Sequence, residues 1–182
     1  MDRDTDPTEV TEEGRYWLRA QRVTGYPRIA RDSYFPKHGV KRPAAVTEAD
    51  LPETDDEAVA ELDREALDEG YVSGKWQVKA PEESIPELWA GILDDIEAER
   101  LWDAKVATAN GYEELPYDEY VITIYTPNYF ETHDVERVRA RLRDEHAVTR
   151  ELSYKPDIYT SKGMVDENAG EWGLDRAARY RG

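Results

Sequence analysis

Residues 71–80 read YVSGKWQVKA, and apolar and polar side chains alternate along this stretch. The apolar or small set is Val72, Gly74, Trp76 and Val78, and the polar set is Ser73, Lys75, Gln77 and Lys79. Successive side chains of a strand point to opposite faces of a sheet. The pattern therefore predicts a strand that turns one face to the core and the other to a groove or to solvent.

A helix and two further strands are predicted directly after this stretch. Residues 83–100 carry a wide apolar stripe at helical spacing, with Ser84 and Glu87 as a capping box and Pro86 in the first turn. Residues 103–108, DAKVAT, and 119–126, EYVITIYT, form a predicted hairpin with a long connection around Asn110 and Gly111.

The remaining segments complete an α+β pattern. A capping box at Thr54 and Glu57 begins an amphipathic helix that ends at Gly70. A further helix is predicted after residues 119–126, beginning at Thr132 or Asp134. Further expectations are a short helix at 12–22, an extended chain or loop at 24–43, and a last strand at 154–160, near an edge because of Pro156. Together they predict a mainly antiparallel sheet with helices on one face, as a partly extended arm, 1–45, and a single α+β domain, 46–182.

The formal net charge is -17, with 41 acidic residues against 24 lysines and arginines. Lysine is scarce, which favours a protein from a salt-rich cytoplasm, where ions screen self-repulsion. The alternative is an ordinary protein with an acidic interaction face, such as the helix at 54–69. The charge argues against broad nucleic-acid binding. The basic stretch with Arg28, Arg31, Lys37, Lys41 and Arg42 either solvates the acidic body or contacts an anionic partner.

Other site classes lack their signatures. The sequence has no cysteine, and its three histidines are scattered without metal-ligand spacing, so we expect no metal and no cofactor. The first residues are acidic and polar, and no apolar run reaches the length of a membrane span. The expected location is the cytoplasm.

Lysine is concentrated in the predicted strands of a chain that otherwise prefers arginine. A lysine can act as a base when burial or a second cation lowers its pKa towards neutrality. Lys75 and Lys105, on neighbouring strands of one concavity, could lower each other's pKa. The alternative is that these lysines only keep strand edges from aggregating.

Several short motifs recur in one order over residues 71–175, among them GKWQV, AKVAT, VITIYT, YKPDIYT and EWGL. In them the chain resembles the uncharacterised family typified by the basophilic-leukaemia-expressed protein, whose archaeal members carry the label phosphothreonine lyase domain protein. The resemblance implies the fold of the cap-binding translation initiation factor 4E, a curved antiparallel sheet backed by helices.

The family label implies a β-elimination that needs no metal. In the bacterial phosphothreonine lyases a lysine takes the α-proton, a histidine protonates the departing phosphate, and a lysine two residues before that histidine assists. By resemblance, Lys105 would be the base and Lys75 the assisting lysine, while Lys155, Arg150 or Lys79 would hold phosphate. Gln77 stands where the family pattern has histidine, and an amide cannot act as a general acid.

A phosphorylated protein or a small phosphate-bearing ligand is the partner that this interpretation implies. The rival interpretation is a non-enzymatic module that binds a nucleotide or an RNA end, which requires two aromatic rings around a base. Trp76, Trp89 and Trp172 have the spacing of structural residues, which leaves Trp17 and Trp102 for such a sandwich.

Overall fold

The computed structural model describes residues 3–22 and 30–182, and six antiparallel strands form one curved sheet in these ranges. The strands are β1 (Trp17–Arg19), β2 (Gly74–Ala80), β3 (Asp103–Ala107), β4 (Tyr120–Thr126), β5 (Ser153–Pro156) and β6 (Tyr180–Arg181). Their order across the sheet is β1-β3-β4-β2-β5-β6. The helices are α1 (Ala30–His38), α2 (Glu57–Glu69), α3 (Ile85–Glu97), α4 (Ala109–Glu114), α5 (Thr132–Asp144) and α6 (Asp157–Ser161).

Strand β2 lies inside the sheet, between β4 and β5, and its alternation is as predicted. Trp76 lies opposite Ile124 on β4 and Tyr154 on β5, and it is fully buried. Its indole Nε1 donates a hydrogen bond of 2.9 Å to the carbonyl oxygen of Val135 in α5. Helices α2, α3 and α5 contribute buried residues to the same core as Trp76. The α+β class with a mainly antiparallel sheet is thereby confirmed.

The two long central helices form where the apolar stripes predicted them, but their N-termini differ from the predicted capping boxes. The side chain of Asp56 caps α2 by accepting hydrogen bonds from the backbone N–H groups of Ala58 and Val59. Before α3, residues 82–84 form a short 3₁₀ turn, and the Ser84 side chain makes no capping hydrogen bond.

The helix predicted at 12–22 is wrong. Residues 17–19 form β1, and a 3₁₀ turn follows at 20–22. The edge of β3 supplies backbone partners for this segment, and the Thr108 N–H donates to the carbonyl of Tyr16 at 3.1 Å. Pairing with a distant strand therefore overrides a weak helical spacing.

The loop predicted at 24–43 is also wrong over the residues that form α1. This helix is held against α5 because the Tyr34 hydroxyl lies 2.9 and 3.0 Å from the two carboxylate oxygens of Asp134. The arm therefore contributes a strand and a helix, and Leu18 belongs to the main core. The boundary at residue 45 stays a prediction.

Two corrections concern the C-terminal half. The connection between β3 and β4 contains α4, although the two strands pair as predicted. The strand predicted at 154–160 ends at Pro156, and α6 follows it. Pro156 has no N–H to continue a strand ladder, and the Asp157 N–H donates to the carbonyl of Ser73. Among the described residues, none of the helices has the length and hydropathy that a membrane span requires.

Candidate functional site

The polar face of the sheet carries charged side chains from β1, β3, β2 and β5, with uncharged side chains of β4 between those of β3 and β2. Residues opposite each other in antiparallel strands share a face. One row across the strands is Asp103, Tyr125, Lys75 and Lys155, and the next is Arg19, Lys105, Thr123, Gln77 and Ser153. We name Lys75, Lys105 and Lys155 the lysine cluster. It lies on the face opposite Trp76.

Lys75 and Lys105 share this face, but they are not on neighbouring strands. Strand β4 runs between β2 and β3, so Thr123 and Tyr125 separate the two lysines. The charge of Lys75 nevertheless acts on Lys105 and contributes to lowering its pKa. The prediction that the two lysines lie on neighbouring strands is therefore wrong, although they share a face, and the catalytic roles of both lysines stay predictions.

Lys75 is a buried ammonium with a fixed carboxylate partner. Its side chain is 8 % exposed, and its Nζ donates to Asp157 Oδ1 at 2.5 Å and to Thr160 Oγ1 at 2.8 Å. The second carboxylate oxygen of Asp157 accepts a hydrogen bond of 2.5 Å from the Ser73 hydroxyl. Both partners of Lys75 come from α6, so the start of this helix anchors the ammonium against β2.

Lys105 has a different environment, without a polar partner among the residues that the structure describes. Its Nζ lies 3.9 Å from the centroid of the Trp17 ring, and Arg19 is its direct neighbour across the β1–β3 pair. Burial, together with the charges of Arg19 and Lys75, lowers the pKa of Lys105 to about 8 against a smaller opposing effect of Asp157. A fraction of this amine is therefore neutral at pH 7 to 8.

Lys155 completes the lysine cluster from β5. It lies directly opposite Lys75, and its ammonium donates to the carbonyl oxygen of Met164. Burial lowers the pKa of Lys155, and the charge of Lys75 acts in the same direction. The three lysines thus form a positive region in a strongly acidic chain.

Thr123 and Gln77 occupy the middle of the second row. Thr123 is 2 % exposed, and its hydroxyl is buried without a hydrogen-bond partner among the described residues. Tyr125 lies two residues along β4 from Thr123, on the same face of the sheet. Gln77 is half-buried opposite Thr123, so the site presents an amide where the lyase pattern requires a histidine.

Lys79 and Arg150 were predicted to hold phosphate, but they lie outside the lysine cluster. Lys79 is at the far end of β2 and forms an exposed ion pair with Asp118. Arg150 lies in the segment before β5 and binds both carboxylate oxygens of Glu119 at 2.6 Å. Both side chains line a separate open cleft of about 790 Å³ beside α3 and α5.

Sequence reasoning missed Arg19 and Asp157, which carry charge into the surroundings of the lysine cluster. Arg19 falls in the segment predicted as helix, and Asp157 falls in the segment predicted as strand. A signal was present for Asp157, because an acidic residue directly after Lys155 and Pro156 marks a helix start at the end of a lysine-bearing strand. For Arg19 no local signal exists, since its role depends on pairing with β3.

Metal and aromatic sandwich sites are not assembled in the described part of the chain. No group of three His, Asp or Glu side chains lies close enough there to hold a metal ion. The rings of Trp17 and Tyr117 meet edge to face, with centroids 6.0 Å apart and an interplanar angle of 76°. Trp102 packs instead against the small apolar cluster of Tyr34, Phe35 and Val40.

The basic stretch of the arm is largely paired with acidic and carbonyl groups. Lys37 donates to the carbonyl of Ala98, Lys41 pairs with Asp50, and Arg42 pairs with Asp32. Arg28 lies outside the described residues, as does the side chain of Arg31. The pairings of the described members favour a structural role over an anion-binding one.

Solved structures with a similar course of the chain include two of schistosome eIF4E, one with m7GpppG and 4E-BP and one with m7GpppA and 4E-BP. Each shares 11 % sequence identity with this chain at a TM-score of 0.45. In each case the alignment covers 91 % of this chain and 94 % of the other.

The family comparison covers most of the chain. The model of basophilic leukemia-expressed protein Bles03 matches residues 10–163, which include β1 to β5 and the whole lysine cluster. The protein belongs to the Bles03 family.

Proposed function

We propose that the lysine-bearing face of the sheet binds a phosphate-bearing ligand, either a phosphorylated protein or a small molecule. The observation that carries the proposal is the pair formed by Arg19 and Lys105. They are direct cross-strand neighbours, and neither has a polar partner among the described residues. Both cations lie on one face of a chain whose formal net charge is -17.

The neighbouring groups support an anion in this position. The ammonium groups of Lys75 and Lys155 add positive potential from β2 and β5, and Asp157 neutralises Lys75 only in part. The orphaned Thr123 hydroxyl lies between Lys105 and Gln77 and can donate to a phosphate oxygen. A ligand here would gain charge-assisted hydrogen bonds, which are stronger than neutral ones.

A direct test is to titrate the full chain with inorganic phosphate, phosphothreonine and a phosphothreonine peptide. Isothermal calorimetry then measures the affinity for each ligand. We expect binding that weakens about tenfold in Arg19→Gln and Lys105→Gln, because each loses one charge-assisted contact. Lys37→Gln is the matched control, since Lys37 is exposed on α1 and bonded to Ala98. Equal affinities in all four proteins, or no binding in the wild type, would overturn the proposal.

The second candidate is β-elimination of phosphate from phosphothreonine or phosphoserine, which the pKa of Lys105 favours. The neutral amine of Lys105 would take the α-proton, a carbon–carbon double bond would form, and the carbon–oxygen bond to phosphate would break. The phosphate would leave without a proton from Gln77, and its charge would be balanced by Arg19 and Lys75. Elimination requires no metal, cofactor or other reactant.

Elimination and hydrolysis give different products from a phosphothreonine peptide. Both release phosphate, but elimination leaves a dehydrated residue and hydrolysis leaves threonine, which mass spectrometry separates. We expect a dehydrated product that disappears in Lys105→Gln and persists in Lys37→Gln. Binding without any dehydrated product would indicate a non-enzymatic binding module. Parallel titrations with ATP and GTP would then show whether a nucleobase adds affinity.

We further propose that the protein works in a salt-rich cytoplasm, which its acidic composition and scarce lysine support. In such a solution, long-range attraction is screened within a few ångströms. Recognition of a phosphate would then depend on direct contacts such as those of Arg19 and Lys105. The titrations should therefore retain measurable affinity at about 1 M KCl, where purely long-range attraction is lost.

A further inference from the structure

Lys105 has the surroundings of an amine that forms covalent adducts with carbonyl compounds. Its ammonium lies against the face of the Trp17 ring, and no described carboxylate or carbonyl group holds it. Nucleophilic lysines in proteins are typically desolvated or placed beside a second cation. Lys105 has both features, because it is half-buried and faces Arg19 across the strands.

We propose that Lys105 forms a Schiff base with small phosphorylated aldehydes or ketones, whose phosphate group is held by Arg19 and by the positive charges of Lys75 and Lys155. This inference rests on the proposed phosphate site and names the ligand class for it. The Cβ atoms of cross-strand neighbours are about 5 Å apart, so a compact ligand can reach both side chains at once.

The chemistry balances without any further reactant. The neutral amine of Lys105 adds to the carbonyl carbon, and a proton moves from nitrogen to oxygen to give a carbinolamine. Loss of water then gives the carbon–nitrogen double bond. Burial and the charges of Arg19 and Lys75 keep part of this amine neutral, since its pKa is about 8. Asp157 on α6 opposes this effect only weakly.

The remaining lysines of the face are less suited to this step. The Nζ of Lys75 already donates hydrogen bonds to Asp157 and Thr160. Lys155 donates to the carbonyl of Met164, so its nitrogen is also engaged. The geometry therefore favours Lys105 as the nucleophile among the three clustered amines. We expect a carbonyl probe to label Lys105 in preference to Lys75 and Lys155.

The test uses pyridoxal 5′-phosphate as the probe at a one-to-one ratio with the full chain, near pH 7.5. Borohydride reduction fixes any imine, and peptide mapping by mass spectrometry locates it. We expect the label at Lys105 to form about tenfold or more faster than at Lys37, because a free lysine is almost entirely protonated at this pH. Excess inorganic phosphate should slow labelling of Lys105 and leave Lys37 unaffected.

Two variants and one analogue make the result decisive. Lys105→Arg should remove the fast label while keeping the positive charge, and its far-ultraviolet circular dichroism should match that of the wild type. The Arg19→Gln variant should be labelled by the probe about tenfold more slowly than the wild type. Pyridoxal, which lacks the phosphate, should label the wild type about tenfold more slowly than the probe does. A label spread evenly over exposed lysines, or fast labelling in Lys105→Arg, would overturn the inference.

Failure of this inference is separable from failure of the proposed function. If phosphate binds calorimetrically but the probe does not select Lys105, the phosphate site stands and the covalent chemistry is refuted. If pyridoxal and its phosphate label Lys105 equally fast, the amine is reactive but the phosphate-directed ligand class is refuted.

Discussion

Lys75 of β2 and Asp157 of α6 form an ion pair of 2.5 Å between Nζ and Oδ1, on the face of the sheet that carries two further lysines. The pair fixes one ammonium of the lysine cluster in place. The other two amines then experience a permanent positive neighbour, which acts on the pKa values of both Lys105 and Lys155. Asp157 thus anchors Lys75 within the site, although it was predicted to lie in a strand.

Replacing Asp157 by asparagine should destabilise the fold. The ammonium of Lys75 is buried, and removing one partner of a buried ion pair leaves an uncompensated charge, so we expect a loss of about 3 kcal/mol in the free energy of unfolding. Urea denaturation at fixed KCl concentration measures it. Added phosphate should stabilise Asp157→Asn more than the wild type, since the variant site is more positive.

The matched control is Asp118→Asn, which removes the partner of the exposed Lys79. A solvent-exposed ion pair contributes little to stability, so this variant should stay close to the wild type. Equal stability of the two variants would show that the Lys75 pair is not a buried one in solution.

Gly111 should be essential because the backbone of the segment before β1 passes directly over it. A Cβ at this position would lie 2.1 Å from the carbonyl oxygen of Tyr16. Gly111→Ala must therefore push β1 away, which we expect to cost about 2 kcal/mol and to weaken phosphate binding through Arg19. Thermal denaturation and calorimetric titration measure the two effects.

Gly170→Ala is the control for this substitution, because a Cβ there meets no atom within 4 Å. Its stability should change by less than about 0.5 kcal/mol, and its phosphate affinity should not change. If Gly111→Ala behaved in the same way, the close approach of Tyr16 would not matter.

The stability contributed by Lys105 should increase with pH. Its pKa is lowered in the folded chain, so between about 8 and 10.5 the unfolded chain binds more protons and alkali favours folding through this group. The difference in unfolding free energy between wild type and Lys105→Gln should therefore rise from pH 7.5 to 9.5, by about 1 kcal/mol after allowance for solvent screening. A constant or falling difference would mean that the pKa is not lowered.

The midpoint of thermal unfolding should rise with ionic strength. At net charge -17 the folded chain repels itself, and salt shortens the Debye length from about 10 Å at 0.1 M to about 3 Å at 1 M. We expect a rise of about 5 °C over this range, measured by calorimetry in KCl. Sucrose of equal osmolality should give a smaller rise, and equal effects of salt and sucrose would argue against a charge-based mechanism.

The sequence predicted those parts of the site that depend on one strand. Alternation in β2 placed Trp76 in the core and Lys75 on the polar face, because a strand has only two faces. Strand order could not be inferred in the same way. Nothing near Lys105 in the chain indicates that β4 lies between it and Lys75, since the order depends on packing between distant segments.

The missed elements are those with weak local signals. Strand β1 has three residues, too few for a periodicity, and its pairing depends on β3. Helix α1 contains Pro36 and has little amphipathic pattern, and it is held by the contact of Tyr34 with Asp134. Tertiary contacts of this kind are fixed only when the whole chain is folded.

Strand β1 pairs with β3, which is distant from it in the sequence, and this separation affects the order of folding. Contacts between segments distant in sequence require costly loop closure and tend to form late. The hairpin of β3 and β4 with β2 can assemble while Arg19 and Trp17 are still absent from the face. In a refolding experiment we therefore expect ligand binding to appear after burial of Trp76, so that binding competence marks the end of folding.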